Sequence, residues 1–257
     1  MSIIEITPFQ LVLCLLFVAV AGASSLFFKL SLEKDLLWGT VRAFAQLFLV
    51  GYALKYIFQL NNVIVILLLL AFMIFWAAHA IRSRVREQAV SFFLPTFISM
   101  VVSYTTVSIV VTAVIIQVEP WYMPQYFIPI GGMIAGNSMN AIAIALERLF
   151  ADLRNHRQRI ELALTFGATY REATADILRS VVKAGMIPSI NALMTVGVVS
   201  LPGMMTGQIL AGADPTEAIK YQIVVMLMLV AATTIGTVIV VHVVRRRCFS
   251  RAHQMMV

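Results

Sequence analysis

With 257 residues, 61% of them hydrophobic and only 12% charged, the chain carries roughly half the charge of a soluble protein of its length. That excludes a soluble enzyme or binding module and predicts an integral membrane protein of one domain. The net charge of +7 does not point to nucleic acid, because the cations are confined to particular loops rather than forming a groove.

Seven spans are predicted, each on the order of 20 apolar residues, the length a helix needs to cross a bilayer. The first runs from about Pro8 to Phe28, and Gly22-Ala23-Ser24-Ser25 near its end predicts close helix contact or a kink. It lacks the cationic start of a cleavable signal peptide and is expected to stay as a span. Leu32–Asp35 is a short polar turn, and the second span follows to about Phe58. Asn61-Asn62 breaks the pattern before the third, which ends near Ala80. The fourth covers about Val90 to Ile116, with Pro95 marking a kink or a short surface helix. An outer connection, Val118 to Pro129, holds three prolines, and Trp121, Tyr122 and Tyr126 suit the interfacial aromatic belt. The fifth span ends near Leu146, the sixth covers about Val182 to Ser200, and the seventh runs from about Glu217 to Val244. Leu201 to Pro215, rich in glycine, is either an outer loop or a re-entrant segment. Cys14 lies inside the first span and Cys248 beyond the last, which excludes a disulfide framework.

Charge fixes an orientation. Lys29, Lys34 and Arg42 lie by the first inner turn, and Arg82, Arg84 and Arg86 by the second. Seven more cations fall in the stretch from Arg148 to Lys183, and Arg245, Arg246, Arg247 and Arg251 follow the last span. Lys55 and Lys220 alone among the 19 cations lie on the other side. The positive-inside rule then puts the amino terminus outside and the carboxy terminus in the cytosol. Cys248 is expected to react with an impermeant thiol reagent from the cytosolic face only.

The stretch from Arg148 to Lys183 keeps both signs of charge for several helical turns. Within it, Glu161-Leu162-Ala163-Leu164-Thr165-Phe166-Gly167-Ala168-Thr169 predicts a short helix running into a glycine. Leu162, Phe166 and Ala173 share an apolar side, while Arg157, Glu161, Arg171 and Glu172 stay in water. On composition alone this is either a solvated connection or a docking element at the membrane surface.

Glu161, Ala163 and Gly167 match the E-x-A-x-x-x-G spacing of the "EAA" loop of ABC-transporter permeases, with Ile177 at that motif's hydrophobic position. The family's Leu-Pro near this isoleucine is absent; Leu178 is followed by Arg179. Longer blocks, LEKDLLWGTVRAFAQL, IPIGGMIAGNSM, LALTFGAT and SLPGMMTGQILAGADPTEAIKYQI, resemble the FetB-type iron-export permeases, to which plant aluminium-tolerance permeases look related. The resemblance implies that residues 1–257 form one permease domain of an ABC transporter, with a cytosolic coupling segment at about 148–183. It further implies a homodimer in the inner membrane that exports iron, serving metal homeostasis and oxidative-stress resistance. Arg159, Glu161, Leu162, Ala163, Phe166, Gly167, Ala168 and Thr169 would then contact a separate ATPase subunit. With no G-x-x-x-x-G-K-[ST] in the sequence, ATP and Mg would be used by that partner, and no cofactor is expected on this chain.

Polar residues inside spans need an explanation. Asp35, Gly39, Arg42 and Gln46 share a face of the second span, where Arg42 either snorkels or pairs with Asp35. Met133, Asn137 and Asn140 share a face of the fifth beside Gly132 and Gly136; Asn191, Met194 and Thr195 do so on the sixth. Gln46, Asn137, Asn140, Asn191, Met194, Met204 and Met205 are therefore candidates for a translocation path, the alternative being interhelical hydrogen bonds. Thioether sulfur suits Cu(I) better than iron, so no metal ligands are assigned. Asp214 and Glu217 are expected to cap the seventh span. His79, His156, His242 and His253 are scattered at span ends, and Ser138 has no histidine at its depth, which argues against a protease or metalloenzyme. The competing class is a stand-alone secondary transporter or channel.

Overall fold

A computed structural model describes residues 6–60, 62–85, 87, 89–250 and 254–256. Asn61, Arg86, Arg251 and His253 of the sequence reading lie outside the described residues. Two compact units result, one holding α1–α3 with Leu210–Gly212 and the other holding the rest.

In the first unit, α1 (Pro8–Leu13) and α2 (Leu15–Phe27) follow each other through Cys14, and α3 runs from Glu33 to Leu60. The turn between α2 and α3 is fastened by Ser25, whose hydroxyl donates to Glu33 Oε1 at 2.8 Å and accepts from the Leu32 amide at 3.0 Å. The Gly22–Ser25 stretch thus continues the helix and braces the turn. No ion pair joins Asp35 to Arg42 among the described residues.

The second unit contains α4 (Val63–Arg84), α5 (Phe93–Ile109) with a π-helical extension (Val110–Ile115), α6 (Pro124–Asn155), α7 (Arg157–Thr165), α8 (Tyr170–Ala173), α9 (Ala175–Thr195), α10 (Gly203–Leu210) and α11 (Pro215–Arg247). Among the described residues, six stretches are long and apolar enough to cross a membrane: Pro8–Phe27, Glu33–Gln59, Val63–Arg84, Phe93–Ile115, Pro124–Asn155 and Pro215–Arg247. The protein is an all-α, multi-pass membrane protein.

Several boundaries differ from expectation. Pro95 sits in the first turn of α5, where its missing N–H costs nothing, so it neither kinks the span nor marks a separate helix. Pro124 is the first residue of α6 and Pro129 lies inside it, so the outer connection is shorter than its proline content suggested. α6 also continues unbroken to Asn155, which makes the first two turns of the charged stretch a helical extension rather than a loop. Asp214 caps α11 as expected, accepting from the amides of Thr216 (2.8 Å) and Glu217 (3.3 Å).

Cross-contacts fix the helix directions. Phe92 meets Phe150, and the Tyr104 hydroxyl donates to the Ala135 carbonyl at 3.2 Å, so α5 and α6 are antiparallel. Arg247 donates to the Ser91 carbonyl at 3.0 Å, and Ser103 lies against Gly236, so α5 and α11 are antiparallel too. α6 and α11 therefore run in the same direction, and the chain between them must travel back along the bundle.

α9 begins that return. It packs antiparallel to α6, with Arg148 donating to Ser180 at 3.3 Å and Gly185 set against Ala141 and Ala145. A Cβ on Gly185 would lie 2.9 Å from the Ala141 carbonyl oxygen and 3.3 Å from Thr237 Cγ2, so only glycine lets α9 wedge between α6 and α11 here. Past Lys183, however, α9 has about 12 residues left, roughly 18 Å of helix, against a hydrocarbon core of about 30 Å. The chain breaks at a turn in which Val196 pairs with Ser200 and Gly197 takes φ +83°, then resumes as α10. The span expected over Val182 to Ser200 is thus helical only to Thr195, and α10 falls in the Leu201–Pro215 segment expected as an outer loop or a re-entrant segment.

Candidate functional site

The residues flagged for docking gather on one hairpin. After α6 ends at His156, α7 turns the chain and buries a single side chain, Ile160. Gly167 ends the turn at φ +90° with open space around it, a conformation that β-branched residues rarely adopt. Thr169 starts α8 in a capping box: its hydroxyl accepts from the Glu172 amide, and Glu172 accepts from the Thr169 amide at 2.8 Å. The Thr169 amide, and then its hydroxyl, hold the Glu172 carboxyl below its ordinary pKa.

The outer side of this hairpin combines charge with unburied apolar surface. Arg157 pairs with Glu161 at 2.7 Å, and Arg159 reaches Asp176 at 3.8 Å. Between these pairs stand Leu162, 59% exposed, and Phe166, 84% exposed. Arg159 and Asp176 also line a hollow of about 220 Å³ together with Ile160, Ala163, Ala168, Glu172 and Ile177. Arg159, Glu161, Leu162, Ala163, Phe166, Gly167, Ala168 and Thr169 thus share one projecting structure.

The flagged path residues are more dispersed. Gly136, Asn137 and Asn140 lie on the exposed face of α6. Asn137 donates to the Met133 carbonyl of its own helix at 2.9 Å, whereas Asn140 accepts from Arg84 of α4 at 2.8 Å. Asn191 and Met194, the latter 76% exposed, lie on the open face of α9 just before its break. Met205 is buried and Met204 half-buried in α10, and Gln46 is exposed on α3 of the other unit. No hydrogen bond joins Asn191 to Asn137 or Asn140 among the described residues.

Two arrangements escaped the sequence reading. One is a buried hydroxyl seam formed by Thr96, Ser99, Ser103, Ser108 and Thr112 on α5 and its extension, Ser138 on α6, and Thr233 and Thr237 on α11. Its signal was present in the three-and-four spacing of Thr96, Ser99 and Ser103. Thr96, Ser99, Ser103 and Thr112 bond carbonyls of their own helix, such as Ser99 to Pro95 at 2.7 Å, Ser138 and Thr233 meet at 3.4 Å, and the Ser108 and Thr237 hydroxyls have no partner among the described residues. Small side chains allow close helix approach, and those that bond their own helix need no partner across the contact, so the seam serves packing.

The other lies at the end of the bundle where α11 finishes. Arg154 of α6 forms an ion pair with Glu87. Cys248, which caps α11, is wholly buried, and burial together with nearby Glu87 pushes its thiol up to about 12. This corrects the expectation that Cys248 reports topology to a thiol reagent, because a buried thiol with so little thiolate does not react. Beside it, Phe249 stacks on Tyr170 of α8. Tyr170 accepts a hydrogen bond from Arg171 at 3.2 Å, the main cause of its lowered phenol pKa.

Residues 8–249 match a family model described as "Uncharacterised protein family (UPF0014)". The chain is 39% identical over 253 residues to the "Probable iron export permease protein FetB" of Escherichia coli (strain K12), covering 98% of this chain and 96% of that one. It is 36% identical to "UPF0014 membrane protein STAR2" of Oryza sativa subsp. japonica, over 93% and 82% of the two chains. With "Protein ALUMINUM SENSITIVE 3" of Arabidopsis thaliana it shares 33% identity, over 88% and 82%. No solved structure matches.

Proposed function

The chain belongs to the UPF0014 family, and from that premise we propose that it is the membrane-spanning subunit of an ABC transporter that exports iron. The whole chain acts as one permease domain. Two copies work with two copies of a separate ATPase that binds and hydrolyses ATP with Mg. The observation that carries this reading is the α7 hairpin: Phe166 and Leu162 stand out among charged side chains, off the end of α6. An aromatic side chain exposed in water beside charged pairs is the anatomy of a protein docking site. The cations beside it favour the cytosol, where an ATPase would be.

The mechanism is mechanical. ATP binding closes the ATPase pair, the α7 hairpins move with it, and α6 and α9, which carry the hairpin, change the side on which the central cavity opens. The discontinuous return through α9 and α10 counts as one crossing. This makes seven crossings and leaves the amino terminus outside and the carboxy terminus inside the inner membrane. Asn137 and Asn191 are exposed on faces of α6 and α9, and polar groups do not face lipid at low cost; Asn140, exposed beside Asn137, is held by Arg84. A second copy would close those faces around a hydrated path.

Iron as cargo, and a role in metal homeostasis and oxidative-stress resistance, rest on likeness to the permease whose printed name is iron export. A stand-alone secondary transporter or channel would couple through a membrane-buried carboxylate, whereas among the described residues the buried polar groups of the spanning helices are hydroxyls, one glutamine and one arginine. The test is purification of the tagged permease in mild detergent together with candidate ATPases, followed by hydrolysis measurements. Stimulated ATPase activity that is lost in Glu161→Lys and Gly167→Val, with insertion intact, is expected. Undiminished stimulation in both variants would remove the docking assignment.

A further inference from the structure

The α7–α8 hairpin is joined to the bundle by the chain itself at two places, through α6 on one side and α9 on the other. A third attachment is non-covalent. Tyr170, the first residue of α8, is held from below by its own turn, where the Thr174 hydroxyl donates to the Tyr170 carbonyl at 2.6 Å. Its ring lies 5.5 Å from that of Phe249 at an interplanar angle of 30°, and the Arg245 guanidinium stands 5.6 Å from the ring centroid. Arg171 closes the other side at 5.9 Å.

Both gripping residues are themselves immobilised. Arg245 is a cation only 6% exposed, and its Nε has no hydrogen-bond partner. A buried guanidinium needs compensation, and the face of Tyr170 supplies part of it as a cation–π contact. Phe249 is buried because the tail folds back over it: Met256 donates to the Cys248 carbonyl at 2.9 Å, Ser250 donates to the Gln254 carbonyl at 2.8 Å, and Met255 is buried opposite Phe249. α11 continues from Arg245 into the bundle without a break, to the tight contacts of Gly236 with Ser103 and of Thr237 with Gly185.

We propose that Arg245 and Phe249 are positioning residues that clamp Tyr170, so that displacement of the hairpin is carried into α11 as well as into α6 and α9. This rests on the docking reading above. A hairpin tied to two helices can swivel about the line between them. Tied to a third, it moves the bundle as a lever.

The experiment pairs two measurements on full-length permease. In detergent, without any ATPase, amide hydrogen exchange is followed at residues 169–174. In vesicles with the ATPase, ferrous iron moved is measured per ATP hydrolysed. Tyr170→Ala, which loses the aromatic and the cation–π contact, should speed exchange by about 5- to 30-fold, and Phe249→Ala, which loses the aromatic contact alone, by about 3- to 10-fold. They should also lower the iron moved per ATP while hydrolysis stays stimulated. Tyr170→Phe keeps the ring and should keep both readouts near wild type, a rescue that loss of bulk stability would not predict. Arg245→Met, which retains the stem within a packed site, tests the clamp should either alanine variant fail to fold. Unchanged exchange in these variants shows that no clamp exists. Faster exchange with an unchanged iron-to-ATP ratio overturns the transmission. A wild type that neither binds nor stimulates the ATPase sinks the docking reading and the lever with it, whereas normal stimulation beside an unaltered ratio in Phe249→Ala sinks the lever alone.

Discussion

Phe166→Ala isolates the docking surface from the fold. The side chain is 84% exposed, and a phenylalanine presents about 200 Å², so roughly 170 Å² is available for burial against a partner. At about 25 cal/mol per Å² that is worth at most ~4 kcal/mol. Alanine keeps part of the area, and ordering the ring costs something, which leaves ~2–3 kcal/mol, a hot-spot value. The dissociation constant of the permease–ATPase pair should therefore rise by roughly 30- to 150-fold. Permease stability should change by no more than about 0.5 kcal/mol, because an exposed side chain leaves no cavity. Titrating labelled ATPase into permease micelles gives the affinity, and thermal unfolding of the permease alone gives the control. An affinity within twofold of wild type would refute the reasoning, since the carrying observation would then have no energetic content.

Three further outcomes are expected. Cys248 should resist an impermeant thiol reagent applied to either face and react only on unfolding, while Met256→Cys, at an exposed position in the tail, should label from the cytosolic face alone; labelling from outside would reverse the orientation. Asn191→Leu should leave the melting temperature unchanged, because the amide braces no neighbouring helix, and should lower iron movement in vesicles with the ATPase; unchanged transport dismisses a path role for this residue. The depressed pKa of Glu172 means that its capping box is fully formed above the ordinary glutamate range and is lost as pH falls through its lower folded value. The Thr169 amide shift in an NMR titration should follow that acid transition, and the transition should vanish in Glu172→Gln; its persistence there would assign the titration to another group.

How far the sequence could be read depended on the range of the interaction. Helix existence follows from apolar length, which is local, and all six long apolar stretches formed helices near the expected places. The turn after α7 was legible for the same reason: a short helix running into a glycine is encoded within some ten residues, whereas the Thr169–Glu172 capping box that opens α8 went unread. Boundaries were less legible where proline was involved. Pro95, Pro124 and Pro129 suggest interruptions by residue type, yet a proline in a first turn is tolerated, and Pro129 is accommodated inside α6. The clamp on Tyr170 had no local signature, because Arg245 and Phe249 lie some 75 residues further along the chain and look like an ordinary cationic membrane stop.

The sixth span is the most instructive miss. Hydropathy over Val182–Ser200 is indifferent to whether the apolar residues form one helix, and nothing in the count of apolar residues distinguishes a rod from two pieces. What decides is the directional constraint from α6 and α11. Because they point the same way, the return must be made, and because α9 spends its first nine residues outside the apolar zone, its remaining length falls short. A chain in that position either extends the helix or breaks it, and Gly197 at φ +83° takes the second course. The break exposes polar backbone at a depth where it is tolerated only beside protein or water. That cost is a physical reason to expect the hydrated path next to Asn191 and the second copy of the chain across it.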